Sequence, residues 1–275
     1  ELWESLLLTF YPHPAVVLGQ VPTLPQLDSL RIAVTQLDQI GIDNLCLLRF
    51  DSAFAQKSAE DFVQEVLCKR LNVFHLVVGP DAAVGRARAG TVSVLADLLQ
   101  QRGRTLEVVE FEEQNGSKVS SREIRSIIER GDVHIAAEQL GRFFCLEGRV
   151  VRGAGRGKGI GFPTANLAVK SQVLPETGVY AGFVRYALQR HPCVCNIGVR
   201  PSFGGGQLTI EAHLLQSDSI EWADDLYGKR IFLEFVARIR SEKKFCSAEA
   251  LSEQISTDCA LATEVLESVA EDGLC

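Results

Sequence analysis

The sequence contains no methionine among its 275 residues, and its first residue is glutamate. Because translation begins at methionine, we expect Glu1 not to be the natural start of the protein. No apolar segment is long enough to span a bilayer, and nothing resembles the apolar region of a signal peptide. These absences predict a cytoplasmic protein without a membrane partner.

The sequence also has no excess of positive charge. Lys and Arg number 28 and Asp and Glu number 35, which gives a formal net charge of −7. A chain with this balance gains nothing from its overall field when it meets nucleic acid, so we expect no nucleic-acid partner. Any anion-binding site must arise from a local cluster of residues.

Its eight cysteines lack the spacing of a metal site. Cys193 and Cys195 are one residue apart, with no second Cys or His pair nearby, whereas zinc sites use paired ligands at wider spacing. We therefore interpret both as small buried side chains of a strand in a reduced protein.

The first half alternates short apolar runs with amphipathic stretches, a pattern typical of buried parallel strands joined by crossover helices. The strand-like runs are SLLLTF (5–10), NLCLLRF (44–50), VFHLVVG (73–79) and TLEVVEF (105–111), and the helix-like stretches cover 27–41, 59–71 and 91–103. This half is predicted to be an α/β, Rossmann-like domain with a parallel sheet. Beyond it, residues 115–141 indicate a helix that a serine caps and that Gly131-Asp132 interrupts.

After Gly141 short alternating segments bounded by Gly, Pro and Asp predict an antiparallel β-barrel. They include FFCLEGRVVRG, GVYAGFVRYAL, LTIEAHLL and RIFLEFVARIR. In LTIEAHLL the alternation places Glu211 and His213 on one face, and Ile210 and Ala212 on the other. Residues 247–270 have helical periodicity without Gly or Pro, which predicts a closing helix.

The segment GRGKGIGFPTAN (155–166) follows the barrel strand LEGRVVRG. Glycines allow backbone N–H groups to approach a polyphosphate, and Arg152, Arg156 and Lys158 add positive charge. The hydroxyl of Thr164 and the amide of Asn166 offer the oxygen ligands that Mg²⁺ prefers. An exposed glycine-rich hairpin explains the same letters equally well, because the spacing matches neither a Walker A nor a Rossmann motif.

From residue 142 onward the chain resembles the riboflavin kinase family. The matching segments occur in order and are GRVVRGAGRGKGIGFPTANL, GVYAGFV, CNIGVRPSFGGG, TIEAHLL, DLYGKRIFLEFVARIRSEKKF and SAEALSEQISTD. The resemblance implies that Thr164 and Asn166 hold Mg²⁺ and the phosphates of ATP, and that Glu211 is the general base for the riboflavin 5′-hydroxyl. It also implies a loop over the nucleotide formed by Gly153, Gly155, Arg156, Gly157, Lys158, Gly159 and Gly161.

Upstream segments are similar to the nucleotidyltransferase module of bifunctional bacterial riboflavin kinase/FAD synthetases. They are LTFYPHP (8–14), FDSAFAQKSAEDFVQEVL (50–67), VGPDAAVGRARAG (78–90) and KVSSREIRSIIERGDVHIAAEQLGR (118–142). This module joins FMN to the AMP part of ATP. The resemblance implies that Asp81, Ser120, Ser121 and Arg125 contribute to the ATP site.

One element of that family is missing. No H-x-G-H sequence occurs anywhere in the chain. In the family, the two histidines of this motif stabilise charge on the phosphates. Either the first strand and its loop precede Glu1, or this half has degenerated. The first explanation is favoured by the missing methionine, and the second by Ala82, Ala83 and Val84, which stand where the family carries aromatic and basic residues. Arg122 likewise replaces a threonine of the family pattern.

The sequence thus predicts an adenylyltransferase domain over residues 1–141 and a riboflavin kinase domain over residues 142–275. Its substrates would be riboflavin, FMN and ATP, and its metal Mg²⁺. A monofunctional kinase with a scaffolding first half and a catalytically silent flavin-binding protein are the alternatives.

Overall fold

The computed structural model of the chain describes residues 3–114, 117–153, 156–187, 189–200, 207–215 and 226–271. Their contacts divide into two compact units. The first runs to Leu24 and resumes over Gln36–Val119, and the second comprises Pro25–Thr35 and the chain from Ser120 onward. Pro25–Thr35 therefore belongs with the second half of the chain, although it lies early in the sequence.

The first half of the chain alternates strands and helices as predicted. Its elements in chain order are β1 (Leu6–Tyr11), α1 (Pro14–Val17), α2 (Leu30–Gln39), β2 (Asn44–Arg49), α3 (Ser52–Ala55), α4 (Ala59–Asp61), a π-helix (Phe62–Arg70), β3 (His75–Val78), β4 (Ala83–Val84), a 3₁₀ turn (Arg86–Arg88), β5 (Gly90–Thr91), α5 (Val92–Gln100), β6 (Thr105–Val108), β7 (Glu113–Gln114) and β8 (Ser117–Lys118). Strands β1 and β2 pair in parallel, and so do β3 and β6. The predicted parallel pairing is confirmed.

The core of the first unit lies between its helices and its strands. The π-helix and α5 supply side chains that are almost completely buried, and apolar residues of β1, β2, β3 and β6 pack against them. The buried residues are Phe62, Val63, Val66, Leu67, Leu95 and Leu99. Their spacing of three and four residues gives each helix one apolar face, which is the pattern that predicted these helices.

A groove of about 970 Å³ lies between β1 and β3. Leu6, Leu7 and Leu8 line it from β1, and Leu76 and Val77 line it from β3. Among the described residues β1 pairs with β2 alone and β3 with β6 alone, so these four strands form two separate two-stranded sheets. About half of the surface of Leu7 and of Val77 remains exposed, at 43% and 54%.

The second unit contains two helices, a barrel and a long closing helix. From Ser121 onward the elements are α6 (Ser121–Glu129), α7 (Val133–Leu140), β9 (Phe144–Val151), α8 (Arg156–Gly159), β10 (Ala165–Val169), β11 (Gly178–Tyr186), β12 (Gln189–Arg200), β13 (Gln207–Leu214), β14 (Arg230–Arg240) and α9 (Ala248–Glu271). The predicted interruption between α6 and α7 occurs at Gly131, whose φ of +81° is in the left-handed region that glycine tolerates best.

Six antiparallel strands close into a barrel in the order β10-β13-β12-β11-β14-β9. Side chains such as Phe144, Tyr180 and Phe235 are fully buried; the ring of Phe235 stacks with that of Phe144 and meets that of Tyr180 edge to face. Helix α9 covers part of the outer surface, where Ala262 and Leu266 pack with apolar residues of β11, β12 and β14. The predicted antiparallel barrel with a closing helix is confirmed.

The segment Pro25–Thr35 is attached to the second unit by polar contacts. Arg142 donates from one nitrogen to both carboxylate oxygens of Asp28, at 2.7 and 2.6 Å. Gln172, which is buried, donates to the carbonyl of Leu27 at 3.2 Å. Both contacts join residues more than a hundred positions apart, so this segment forms part of the unit's tertiary structure.

Replacing Arg142 by Ala should therefore destabilise the second unit. Asp28 would be left partly buried without its cation, and we expect the free energy of unfolding to fall by about 2 kcal/mol. Chemical denaturation monitored by circular dichroism measures this change. As a control, Arg130→Ala removes a more exposed partner of Asp132 and should cost less than about 1 kcal/mol. Equal losses in the two variants would contradict the prediction.

Candidate active site

Strand β13 presents two polar side chains on the outer surface of the barrel. Glu211 and His213 are half-buried there, whereas Ile210 and Ala212 point into the barrel and are buried. The alternation predicted from the sequence is confirmed. A carboxylate and an imidazole are thereby placed next to each other on the same face.

Glu211 lies in a row of three polar residues across neighbouring strands. Its direct cross-strand partners are Asn166 on β10 and Asn196 on β12. Directly opposed residues in antiparallel strands have Cβ atoms about 5 Å apart and point to the same side. The row therefore places two amides beside the carboxylate, one on each side.

The segment before β10 is held against β13 by two hydrogen bonds. The Thr164 hydroxyl donates to a carboxylate oxygen of Glu211 at 3.2 Å. Nδ1 of His213 lies 2.8 Å from the carbonyl oxygen of Pro163, so this nitrogen carries the proton and donates it. The ring of Phe162 meets the His213 ring edge to face, with centroids 5.4 Å apart. Thr164, Asn166 and Glu211 are thus brought together, as predicted.

The glycine-rich segment approaches these residues closely at two positions. A Cβ added to Gly153 would lie 2.2 Å from the side-chain nitrogen of Asn166, and one added to Gly157 would lie 2.2 Å from the carbonyl oxygen of Phe162. No side chain fits at either position without displacing its neighbour. Gly155 and the side chains of Arg156 and Lys158 lie outside the described residues; Gly159 belongs to α8, and Gly161 has a φ of +88°.

Gly153→Ala should consequently impair the site without unfolding the barrel. The new methyl group would push the Asn166 amide out of the row, and we expect a loss of about tenfold or more in kcat/KM for ATP. Steady-state kinetics with ATP as the varied substrate measures the loss. Gly159→Ala, whose Cβ meets no atom within 4 Å, should cost clearly less. A larger loss in the Gly159 variant would contradict the prediction.

A cavity of about 390 Å³ opens beside this row. One wall is formed by the segment 157–164 and β13, and a second wall by α9 and the residues that precede it. Apolar side chains on the two walls include Ile160, Phe162, Phe245, Leu251 and Ile255. The volume and the mixture of apolar walls with a few polar groups are those of a small-molecule site.

The cysteines next to this row face away from the cavity. Cys193 and Cys195 are buried in β12, as predicted, and burial raises the pKa of both thiols above its ordinary value. They remain protonated at neutral pH and offer no thiolate for metal binding or nucleophilic attack.

Comparisons with known proteins identify both halves of the chain. The FAD synthetase family model matches residues 2–123, and the riboflavin kinase family model matches residues 140–266. A bifunctional riboflavin kinase/FMN adenylyltransferase of Bacillus subtilis is 36% identical over 256 residues, which are 91% of this chain and 79% of the relative. The chain belongs to the bifunctional riboflavin kinase/FMN adenylyltransferase family. The enzyme of the same name from Pseudomonas fluorescens is 35% identical, over 94% of this chain and 81% of its own length.

One solved structure has a fold similar to that of this chain. A protein from Streptococcus pneumoniae, described as a macrolide-efflux protein, superposes with a TM-score of 0.83 and 28% identity over 94% of this chain and 83% of its own. In the described part of this chain, no helix is both long and apolar enough to cross a membrane. Because both family models match, the alternatives of a monofunctional kinase and of a silent flavin-binding protein are not favoured.

The residues predicted for the adenylyltransferase site are distributed over the two units. In the first unit, the Asp81 carboxylate pairs with Lys118 at 3.3 Å, and the Lys118 ammonium lies 3.1 Å from the centroid of the Phe111 ring. An aromatic ring thus lies beside Asp81, although Ala82, Ala83 and Val84 carry none.

In the second unit, the Ser120 hydroxyl accepts from the backbone N–H of Glu123 and caps α6. Arg125 donates to the backbone carbonyls of Pro25 and Ser121, at 2.7 and 3.0 Å. Its predicted contact with triphosphate remains a prediction, because these bonds show only a structural role. Ser121 is the first residue of α6, and its backbone carbonyl accepts one of the two hydrogen bonds from Arg125.

The residues in and beside the 390 Å³ cavity include oxygen donors suited to a hard divalent cation, and the ATP-using family to which the chain belongs suggests such a cation. Among the described residues no group of three or more His, Cys, Asp or Glu side chains could hold a metal ion. The donor set that fits is the Thr164 hydroxyl and the Asn166 amide, with Glu211 next to both. Such a set is too small to hold a cation alone and leaves most positions to phosphate oxygens and water.

Sequence reasoning missed Asn196, Arg240 and Asp258, all of which line the cavity. For Asn196 a signal was available, since the alternation of β12 places it on the face opposite to Cys195. His213 was left ambiguous and is a hydrogen-bond donor to the backbone. Nothing in the sequence distinguishes Asp258 from an exposed carboxylate of a surface helix.

Proposed function

We propose that the cavity on the outer face of the barrel transfers the γ-phosphoryl group of ATP to the 5′-hydroxyl of riboflavin, giving FMN and ADP. Glu211 acts as the general base. Its carboxylate takes the proton of the hydroxyl while the oxygen forms the new bond to phosphorus and the bond to ADP breaks. The observation that carries this proposal is the contact of Glu211 with Thr164, beside Asn166.

The three residues have different tasks in this mechanism. Thr164 and Asn166 would hold Mg²⁺, which supplies charge neutralisation for the triphosphate when it is bound. The hydrogen bond from Thr164 orients the carboxylate of Glu211, and Asn196 on the other side restricts its movement. The glycine segment from residue 153 to residue 161 supplies backbone N–H groups to the phosphates. In this proposal Thr164 and Glu211 contribute to the lining of the cavity, and Asn166 lies beside Glu211 on the neighbouring strand.

Product analysis tests this proposal directly. The protein is incubated with riboflavin, ATP and Mg²⁺, and the flavins are separated by chromatography. We expect FMN and FAD together to equal the ADP released, with neither flavin product formed when the metal is chelated. Absence of FMN under conditions in which riboflavin binds would refute the kinase assignment.

A second activity is supported by the match of residues 2–123 to the FAD synthetase family. The proposal for this half is that FMN attacks the α-phosphorus of ATP, giving FAD and pyrophosphate. We keep residue 141 as the boundary between the two activities, and a cytoplasmic location as a prediction. Incubation of FMN with ATP tests the adenylyltransferase activity, because FAD and pyrophosphate must then appear in equal amounts. If only the kinase reaction occurs, the proposal of a second activity is refuted.

A further inference from the structure

A buried ion pair lies in the cavity wall formed by α9. Arg240, the last residue of β14, donates to both carboxylate oxygens of Asp258, with its Nε at 2.9 Å and its Nη2 at 2.7 Å. Gln254 donates to the same carboxylate at 2.9 Å. Asp258 is 2% exposed and is the only buried charged residue in the described ranges. Both partners line the cavity.

Apolar packing also attaches α9 to the barrel, independently of the ion pair. Further along the helix, Ala262 and Leu266 already bury an apolar face against β11, β12 and β14. Moving two charges out of water has a large desolvation cost, and apolar replacements of buried pairs are often as stable or more stable. A bidentate contact does, however, fix distance and orientation more sharply than apolar packing. The ion pair therefore mainly fixes the position of α9 against the barrel.

The position that it fixes is that of the apolar wall. Leu251, Ile255 and Asp258 are spaced by four and three residues, so they lie on one face of the helix. All three line the cavity. Because Arg240 ends β14, the ion pair ties this face of the helix to the barrel at the point where the chain leaves the strand. A rotation or shift of the first turns of α9 would move Leu251 and Ile255.

We propose that Arg240 and Asp258 are positioning residues that set the affinity for riboflavin by holding this apolar wall against its ring system. This inference rests on the proposed kinase function. The reacting groups lie in a different part of the cavity lining, on β13 and the segment before β10. The pair should hence govern the binding of riboflavin and leave the phosphoryl transfer step almost unchanged.

The test uses two changes in the full chain. Asp258→Asn keeps the volume and removes the charge, and the double variant Arg240→Met/Asp258→Leu replaces the pair by apolar side chains. We expect both to raise the KM for riboflavin about tenfold, with kcat and the KM for ATP within about threefold of the parent. The double variant should keep its thermal midpoint, because apolar side chains fill the same space. A double variant with the parental KM would overturn the proposal.

Asp28→Asn is the matched control. It removes the charge from another carboxylate that accepts two hydrogen bonds from an arginine of the same unit; Asp28 is more exposed than Asp258 and is not among the cavity-lining residues. It should lower stability and leave the KM for riboflavin unchanged; an equal rise in KM would reduce the Asp258 effect to general destabilisation and overturn the proposal.

Titration of flavin fluorescence separates this inference from the kinase assignment, because it needs no turnover. Weaker riboflavin binding by Asp258→Asn supports the positioning role even if the parent makes no FMN. A parent that neither binds nor phosphorylates riboflavin refutes both.

Discussion

Replacing Glu211 by Gln should reduce FMN formation by a factor of about 10²–10⁴, the range typical of a lost general base. The amide keeps the size of the side chain and can still accept the hydrogen bond from Thr164. Riboflavin should consequently bind almost as before, while the 5′-hydroxyl retains its proton during phosphoryl transfer. Single-turnover experiments measure the chemical step, and fluorescence titration measures the binding of riboflavin.

Glu242→Gln is the control for this result. Glu242 also lines the cavity but lies on the exposed segment after β14. Its change to Gln removes one negative charge from the cavity, as Glu211→Gln does. We expect this variant to lose less than about tenfold in rate. If Glu211→Gln turned over within tenfold of the parent, or if both variants lost the same factor, Glu211 would not be the base.

Thr164→Val should produce the second large effect, a loss of about 100-fold in kcat/KM for ATP, which corresponds to about 2.7 kcal/mol. Valine has the shape of threonine without the hydroxyl, so the variant loses one oxygen donor for the cation and the hydrogen bond to Glu211. The concentration of Mg²⁺ required for half-maximal activity should rise in parallel. Titrating the metal at fixed ATP and riboflavin measures this shift.

Thr209→Val provides the same chemical change in the same cavity. The Thr209 hydroxyl donates to the carbonyl of Gly198 at 3.3 Å, and Thr209 lies on the same face of β13 as Glu211. We expect it to leave the Mg²⁺ requirement unchanged. A normal metal requirement in Thr164→Val would show that Thr164 holds no cation.

Local patterns in the sequence predicted the strands of the barrel and the faces of β13 correctly, because alternation with period two depends on the nearest neighbours alone. The assembly of Thr164, Asn166 and Glu211 was also predicted, although on the basis of family resemblance. Spacing alone left the glycine segment equally compatible with an exposed hairpin. Its close approach to Asn166 at Gly153 depends on strand β10 folding back beside β9, which no local pattern encodes.

Contacts between distant parts of the chain were not predictable. Asp28 and Arg142 are 114 residues apart, and each is an ordinary charged residue in its own neighbourhood. Asp258 lies in a helix of mixed polarity, where only its burial against β14 distinguishes it. The π-helix over Phe62–Arg70 was not predictable either, because no sequence pattern distinguishes it from an α-helix.

The closed barrel and the paired strands of the first unit differ in how they could meet another molecule. Every barrel strand hydrogen-bonds on both sides, so the barrel offers no template for a foreign strand. Over the described residues β1 and β3 each keep one unpaired side next to apolar surface, and such edges are where intermolecular strand addition and aggregation begin. Among the described residues, strand edges open to such addition therefore occur in the first unit and not in the barrel.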